Sequence, residues 1–184
     1  GGGAWPVIDP VTASPTPAIA QACARALAFT GNEAVLVRLG RHLSEPGLIR
    51  ESLRGISRIQ NAALIPLLLD LLPDLEETDL NYGAILTALQ NQEWKEVTNG
   101  LAVFINSDDE NRVRAGARLI TTLTRSPELG PPLREALSKA TRTETIEAGL
   151  IALGSAAMNP DEHHQFFSKT LKHEEPSIRS LSIR

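Results

Sequence analysis

Arg50, Arg54 and Arg58 recur at i, i+4 and i+8, a spacing that lays three guanidinium groups along one stripe of a helix. Such a stripe suits an acidic peptide, a phosphorylated partner or nucleic acid, because guanidinium pairs with carboxylate and phosphate oxygens. Arg114 and Arg118 occupy the same register 64 residues on. Arg25, Arg38 and Arg41 make the surrounding stretch basic, with Glu33, Glu45 and Glu51 against them. The plainer reading of the stripe is a solvated face with local salt bridges. Trp94, in Gln92-Glu93-Trp94-Lys95-Glu96, is an aromatic anchor for a partner if exposed and a core residue if not.

Other reactive groups do not converge. His163 and His164 are adjacent, so on a helix they point about 100° apart, and neither has a histidine or acid four residues away in metalloprotease spacing. Asp70, Asp74, Glu76, Glu77 and Asp79 read as a solvated acidic connection leading into a helix start. The single cysteine, Cys23, excludes an internal disulfide and lies in an apolar run, as a small buried hydrophobe does. Glycine-rich phosphate loops, nucleophile elbows and Cys–His pairs are missing from the sequence. No catalytic residue, cofactor or metal ligand is assigned.

Composition narrows the partners. Of the 184 residues, 42% are apolar and 22% charged, with a net charge of −4 that disfavours a phosphate backbone as main ligand. The longest apolar run, residues 62–72, contains Pro66 and Asp70 and is too short to span a bilayer. With no apolar leader at the start, a cytoplasmic location is expected, although a cleaved signal would leave no trace.

The elements that position these groups read as helices. Residues 1–16 carry three prolines and three leading glycines, and read as an extended lead-in or tail. From Pro17 onward, helix-length apolar patterns alternate with short breaks, and Ala and Leu dominate over the residues that favour strands. First helices of a series of pairs start near Pro17, Pro46, Asp79, Asp109, Thr143 and Pro176; partners start near Asn32, Asn61, Asn91, Pro127 and Pro160. Aligning the first helices at Ile49, Leu80, Val113, Ile146 and Ile178 gives intervals of 31, 33, 33 and 32 residues. Leu53, Ala84, Ala117, Leu150 and Ser182 then fall four places on, with Ile56, Thr87, Ile120 and Leu153 three further, which is one helix face. Gly83, Gly116 and Gly149, 33 residues apart, fall on that face, where a missing side chain lets a neighbouring helix approach. A fixed spacing of this kind indicates a stack of similar units. The second helix at Leu64-Ile65-Pro66-Leu67-Leu68-Leu69-Asp70-Leu71-Leu72 is apolar nearly all round and must be covered on several sides.

Asp109-Glu110-Asn111-Arg112-Val113-Arg114-Ala115-Gly116-Ala117-Arg118-Leu119-Ile120, Glu174-Glu175-Pro176-Ser177-Ile178-Arg179 and Glu45-Pro46-Gly47-Leu48-Ile49-Arg50 share an acidic or proline start followed by Val/Ile-Arg. These segments resemble the HEAT repeat, in particular its short bacterial HEAT-like form. The resemblance covers residues 17–184, with departures at Asn81 and Glu147 where the family places arginine. It implies an all-α fold: a right-handed α-solenoid of about five helix pairs plus a partial sixth. It also implies that the arginine after Val/Ile contacts acidic or carbonyl groups of adjacent repeats. Arg114, Glu147 and Arg179 then form an alternating-charge ladder on successive first helices. Second helices line the concave side in proteins of this kind.

The expected role is a non-catalytic scaffold or adaptor that holds another protein or peptide, acidic in character, with Arg50, Arg54, Arg58, Arg118 and Trp94 as contact residues. A HEAT-like enzyme is the alternative, since proteins that resemble this one act as tetrapyrrole lyases or excise DNA bases; a structural spacer is the third reading. The C-terminal segment, from Ser177 to Arg184, reads as half a repeat, so the chain is expected to be part of a longer protein.

Overall fold

The computed structural model describes residues 16–30, 33–45, 47–123, 127–155, 167, 168 and 170–182. The lead-in expected up to residue 16 lies almost wholly outside the described residues, as do His163, His164 and the helix start expected near Pro160. Among the described residues every regular element is helical. No helix there is long and apolar enough to cross a membrane.

The helices form two compact units, one reaching Val97 and the other beginning at Thr98. In the first unit α1 (Pro17–Thr30) and α2 (Glu33–Ser44) make a pair. Next come α3 (Ile49–Ile56) with α4 (Leu64–Asp70), and then α5 (Leu80–Gln90) with the start of α6 (Trp94–Ile105). The second unit holds the rest of α6, then α7 (Glu110–Leu123) with α8 (Gly130–Lys139), α9 (Thr143–Ser155) and α10 (Pro176–Leu181). Within the first unit α1 packs on α3 and α3 on α5; within the second α7 packs on α9 and α9 on α10. Second helices fill in behind, α2 against α1 and α3, and α8 against α7 and α9. First helix stacked on first helix is the solenoid arrangement, and the element starts follow the sequence pattern closely.

Local chemistry explains the starts. The Asp79 carboxylate accepts from the Asn81 N–H at 2.7 Å and caps α5, and Asp109 caps α7 in the same way through Asn111 at 2.9 Å. Pro176 occupies the first turn of α10, where its lack of an N–H costs nothing. In α4 and the 3-10 turn after it, Leu64, Ile65, Leu68, Leu69 and Leu72 are all buried, as a helix apolar nearly all round requires.

Glycines set how closely helices approach, at positions only partly as expected. A side chain at Gly116 would overlap the end of Ile105 on α6, and one at Gly149 would overlap Leu137 on α8. Gly83 departs from this pattern: no atom lies within 4 Å of where its Cβ would stand, and Leu80 before it is 73% exposed. Helix α5 instead buries Tyr82, Ile85, Ala88 and Leu89. Turning that face inward removes more apolar surface from water than the Leu80–Gly83–Ala84–Thr87 face, which is mostly small or polar. The tightest approach in the first unit is at Gly55 on α3. A Cβ there would meet backbone, the Gln21 carbonyl oxygen and the Arg25 nitrogen on α1, as well as the Ala24 methyl.

Candidate functional site

The basic stripe lies on the outer side of α3. Buried Ser52, Leu53, Gly55 and Ile56 define the packed face of this helix, and Arg50 and Arg54 lie off it, exposed. The helix ends at Ile56, so Arg58 stands exposed in the turn that follows rather than one helical turn further along the stripe. Arg54 Nη1 donates to Glu51 Oε1 at 2.9 Å. Glu51 is the better buried partner, its side chain 17% exposed against 52% for Arg54, so the carboxylate anchors one edge of the guanidinium and leaves the other toward solvent. Arg50, Arg58 and, on α1, the exposed Arg25 make no ion pair among the described residues.

The other expected contact residues divide. Trp94 opens α6 and is 37% exposed, so its ring is on the surface of the first unit rather than in the core. Arg118 lies in the second unit on α7, half-buried and with its Nε enclosed, and so is not an open guanidinium like that of Arg54.

The charge ladder is not formed. No ion pair joins Glu147 to Arg114 or to Arg179 among the described residues. Arg179 Nη1 donates instead to the carbonyl oxygens of His173, at 2.7 Å, and Glu174, in the loop before its own helix. Arg114 is half-buried, and its Nε has no hydrogen-bond partner. A guanidinium offered two nearby carbonyls gains directional hydrogen bonds without ordering a second flexible side chain, which explains the preference.

Two polar networks join successive repeats where the sequence marked only helix starts. In the first unit, Asn61 Nδ2 donates to the Ala28 carbonyl at 3.0 Å, and Asn91 Nδ2 donates to the Ser57 carbonyl. The Gln92 side chain, buried, donates to the carbonyls of Ile59 at 2.7 Å and Ala88 at 3.2 Å and accepts from the Asn61 N–H at 2.8 Å. In the second unit, the Glu110 carboxylate accepts from the Thr141 hydroxyl at 2.6 Å and from the N–H groups of Thr141 and Arg142 at 3.1 and 2.9 Å. The Thr141 hydroxyl, followed by those backbone donors, holds the Glu110 carboxyl below its ordinary range against the opposing effect of desolvation. Arg142 Nη1 adds a bond to Asn111 Oδ1 at 2.6 Å. The recurrence of Asn61 and Asn91 at the same point of their pairs was the only sequence signal for the first network.

These bonds fix the repeats to one another and leave Arg25, Arg50, Arg54 and Arg58 among the exposed basic groups of the first unit. Among the described residues no group of three His, Cys, Asp or Glu is placed to hold a metal ion. No family model matches the chain, and no curated protein matches it. Among solved structures, two engineered proteins align at TM-score 0.45: one is 14% identical, with 96% of this chain and 94% of the other covered, and the second is 15% identical, with 96% and 92% covered. A designed armadillo repeat protein in complex with the peptide (KR)4 aligns at TM-score 0.44 and 17% identity, covering 97% of this chain and 96% of the other. Likenesses of this order carry no conclusion about function.

Proposed function

We propose that this chain is a non-catalytic helical-repeat scaffold that holds an acidic segment of another protein against the arginine face of α3. The repeats are read as HEAT-like on the Glu45–Arg50, Asp109–Ile120 and Glu174–Arg179 segments. The observation that carries the functional reading is the set of exposed guanidinium groups on one short helix and in the turn after it: among the described residues Arg50 and Arg58 make no ion pair, and Arg54 is held in place by Glu51. Exposed guanidinium groups favour carboxylates, and for Arg54, already held by Glu51, part of the side-chain ordering cost is met.

The test is binding of a fluorescein-labelled glutamate decamer followed by anisotropy at low ionic strength. The unmodified chain is expected to bind, with affinity falling as salt is added. Replacing Arg50→Glu and Arg54→Glu together juxtaposes like charges and should weaken binding on the order of a hundredfold or more. Both side chains are exposed, so circular dichroism should show an unchanged fold. Absence of binding by the unmodified chain, or equal binding by the double variant, overturns the proposal.

A further inference from the structure

The bond from Asn61, just past α3, to Ala28, near the end of α1, puts the C-terminal ends of the two helices side by side. They therefore run in the same direction. Gly55 on α3 faces the Gln21–Arg25 backbone of α1, with the Ala24 methyl beside it. On α1, Arg25 lies one residue, or about 100°, past Ala24; on α3, Arg54 lies one residue before Gly55. For parallel neighbours, a step forward on one helix and a step back on the other turn both side chains to the same side of the plane that joins the axes. The opposite side is the packed one, where Leu27 on α1 and Ser52 and Ile56 on α3 are buried and α2 covers both helices. Arg58 follows Arg54 in the exposed turn that the Ile59 N–H closes on the Ile56 carbonyl, just beyond the end of α3.

We infer that Arg25, Arg54 and Arg58 form a phosphate-binding cluster across the α1–α3 crossing, and that its ligand is a phosphorylated side chain within an acidic peptide. This rests on the proposed function and narrows it. Charge supports the choice: three guanidinium groups against the one carboxylate of Glu51 leave two positive charges, and a phosphomonoester carries about −1.5 to −2 at neutral pH. Shape supports it as well. Arg50 and Arg54 along one helix offer a line of charge that any run of carboxylates satisfies. Donors brought together from two helices suit one compact anion with three equatorial oxygens. Gly55 is what permits the convergence, since any side chain there would force α1 away.

Two fluorescein-labelled peptides of one sequence, Asp-Gly-Ser-Gly-Asp, with and without a phosphate on the serine, test the cluster by anisotropy with the full chain. The phosphorylated form should bind about tenfold more tightly, as expected of one or two added charge-assisted hydrogen bonds. Arg25→Gln should reduce that preference to within about twofold and leave binding of the glutamate decamer nearly unchanged, because Arg25 lies off the α3 stripe. An equal preference in Arg25→Gln, or no preference in the unmodified chain, overturns the cluster while the scaffold reading stands on the decamer. Failure of the decamer to bind removes the underlying reading. A single-stranded oligonucleotide that displaces the phosphopeptide at lower concentration than free phosphopeptide does also overturns the assignment.

Discussion

Gly55→Ala is the most informative single change in the first unit, because its cost falls on backbone. The added methyl would lie against the Gln21 carbonyl oxygen, the Arg25 nitrogen and the Ala24 methyl, and neither backbone atom moves without shifting α1. Overpacking of a tight contact costs about 1–3 kcal/mol, and rigid neighbours place this site toward the upper end. Replacing glycine by alanine inside a helix returns about 1 kcal/mol of propensity, which leaves a net loss of about 2 kcal/mol. Gly83→Ala is the matched control: it is also inside a helix, but nothing lies within 4 Å of the new methyl, so only the gain of about 0.5–1 kcal/mol applies. Urea unfolding followed by far-ultraviolet circular dichroism should separate the two variants by about 2–3 kcal/mol, a midpoint difference on the order of 1 M. If Gly55→Ala proves as stable as Gly83→Ala, the close approach of α1 and α3 is wrong, and with it the convergence of Arg25 and Arg54.

Three further outcomes are expected. Gln92→Ala removes three hydrogen bonds, two of them buried, and takes their Gln92 partner from the Ile59 carbonyl and the Asn61 N–H; a loss of about 2–3 kcal/mol should appear in urea unfolding, and a loss below experimental error would show that water replaces the amide. The Glu110 carboxyl is held below its ordinary range in the folded chain, so its contribution is fully present above the unfolded carboxylate value, about 4.3, and is lost as pH falls through the lower folded value. Thermal melts of Glu110→Gln should therefore run below those of the unmodified chain at pH 7 and converge with them toward pH 3; a gap that stays constant with pH would refute the account. Burial pushes the Cys23 thiol up, so its reaction with a disulfide reagent at pH 8 should be slower in the folded chain than in urea, and equal rates would place it at the open surface.

The arrangement of helices was legible in the sequence because pairs announce themselves through caps, prolines and apolar faces. Asp79 and Asp109 cap α5 and α7 at the positions their sequence context implies. Register within a helix was less secure. The alignment through Leu80 depended on one apolar residue followed by small ones, and Tyr82 and Leu89 outweighed it once burial was decided by bulk. Gly116 and Gly149 were correctly read as close-approach positions, whereas Gly55 fell outside the 33-residue spacing and carried no signal in one dimension. Of the candidate site, Arg50 and Arg54 were legible from spacing alone. The place of Arg25 beside them was not, because it depends on two helices running parallel at a glycine contact. The Arg114–Glu147–Arg179 ladder failed for a related reason: sequence records complementary charges but not the free carbonyls that compete for them.

In the amide network of the first unit, every rung takes its side chain from the later repeat and its backbone group from the earlier one: Asn61 reads Ala28, Asn91 reads Ser57, and Gln92 reads Ile59 and Asn61. The joint is therefore specified from one side only. A repeat can change its loop sequence without losing the match to its successor, since a backbone carbonyl is present whatever the residue and an N–H is present in all but proline. Duplication or exchange of a whole pair would need no compensating change upstream, provided that the incoming pair brings its own amide. Such a rule lets an array lengthen by copying, with its surface free to diverge.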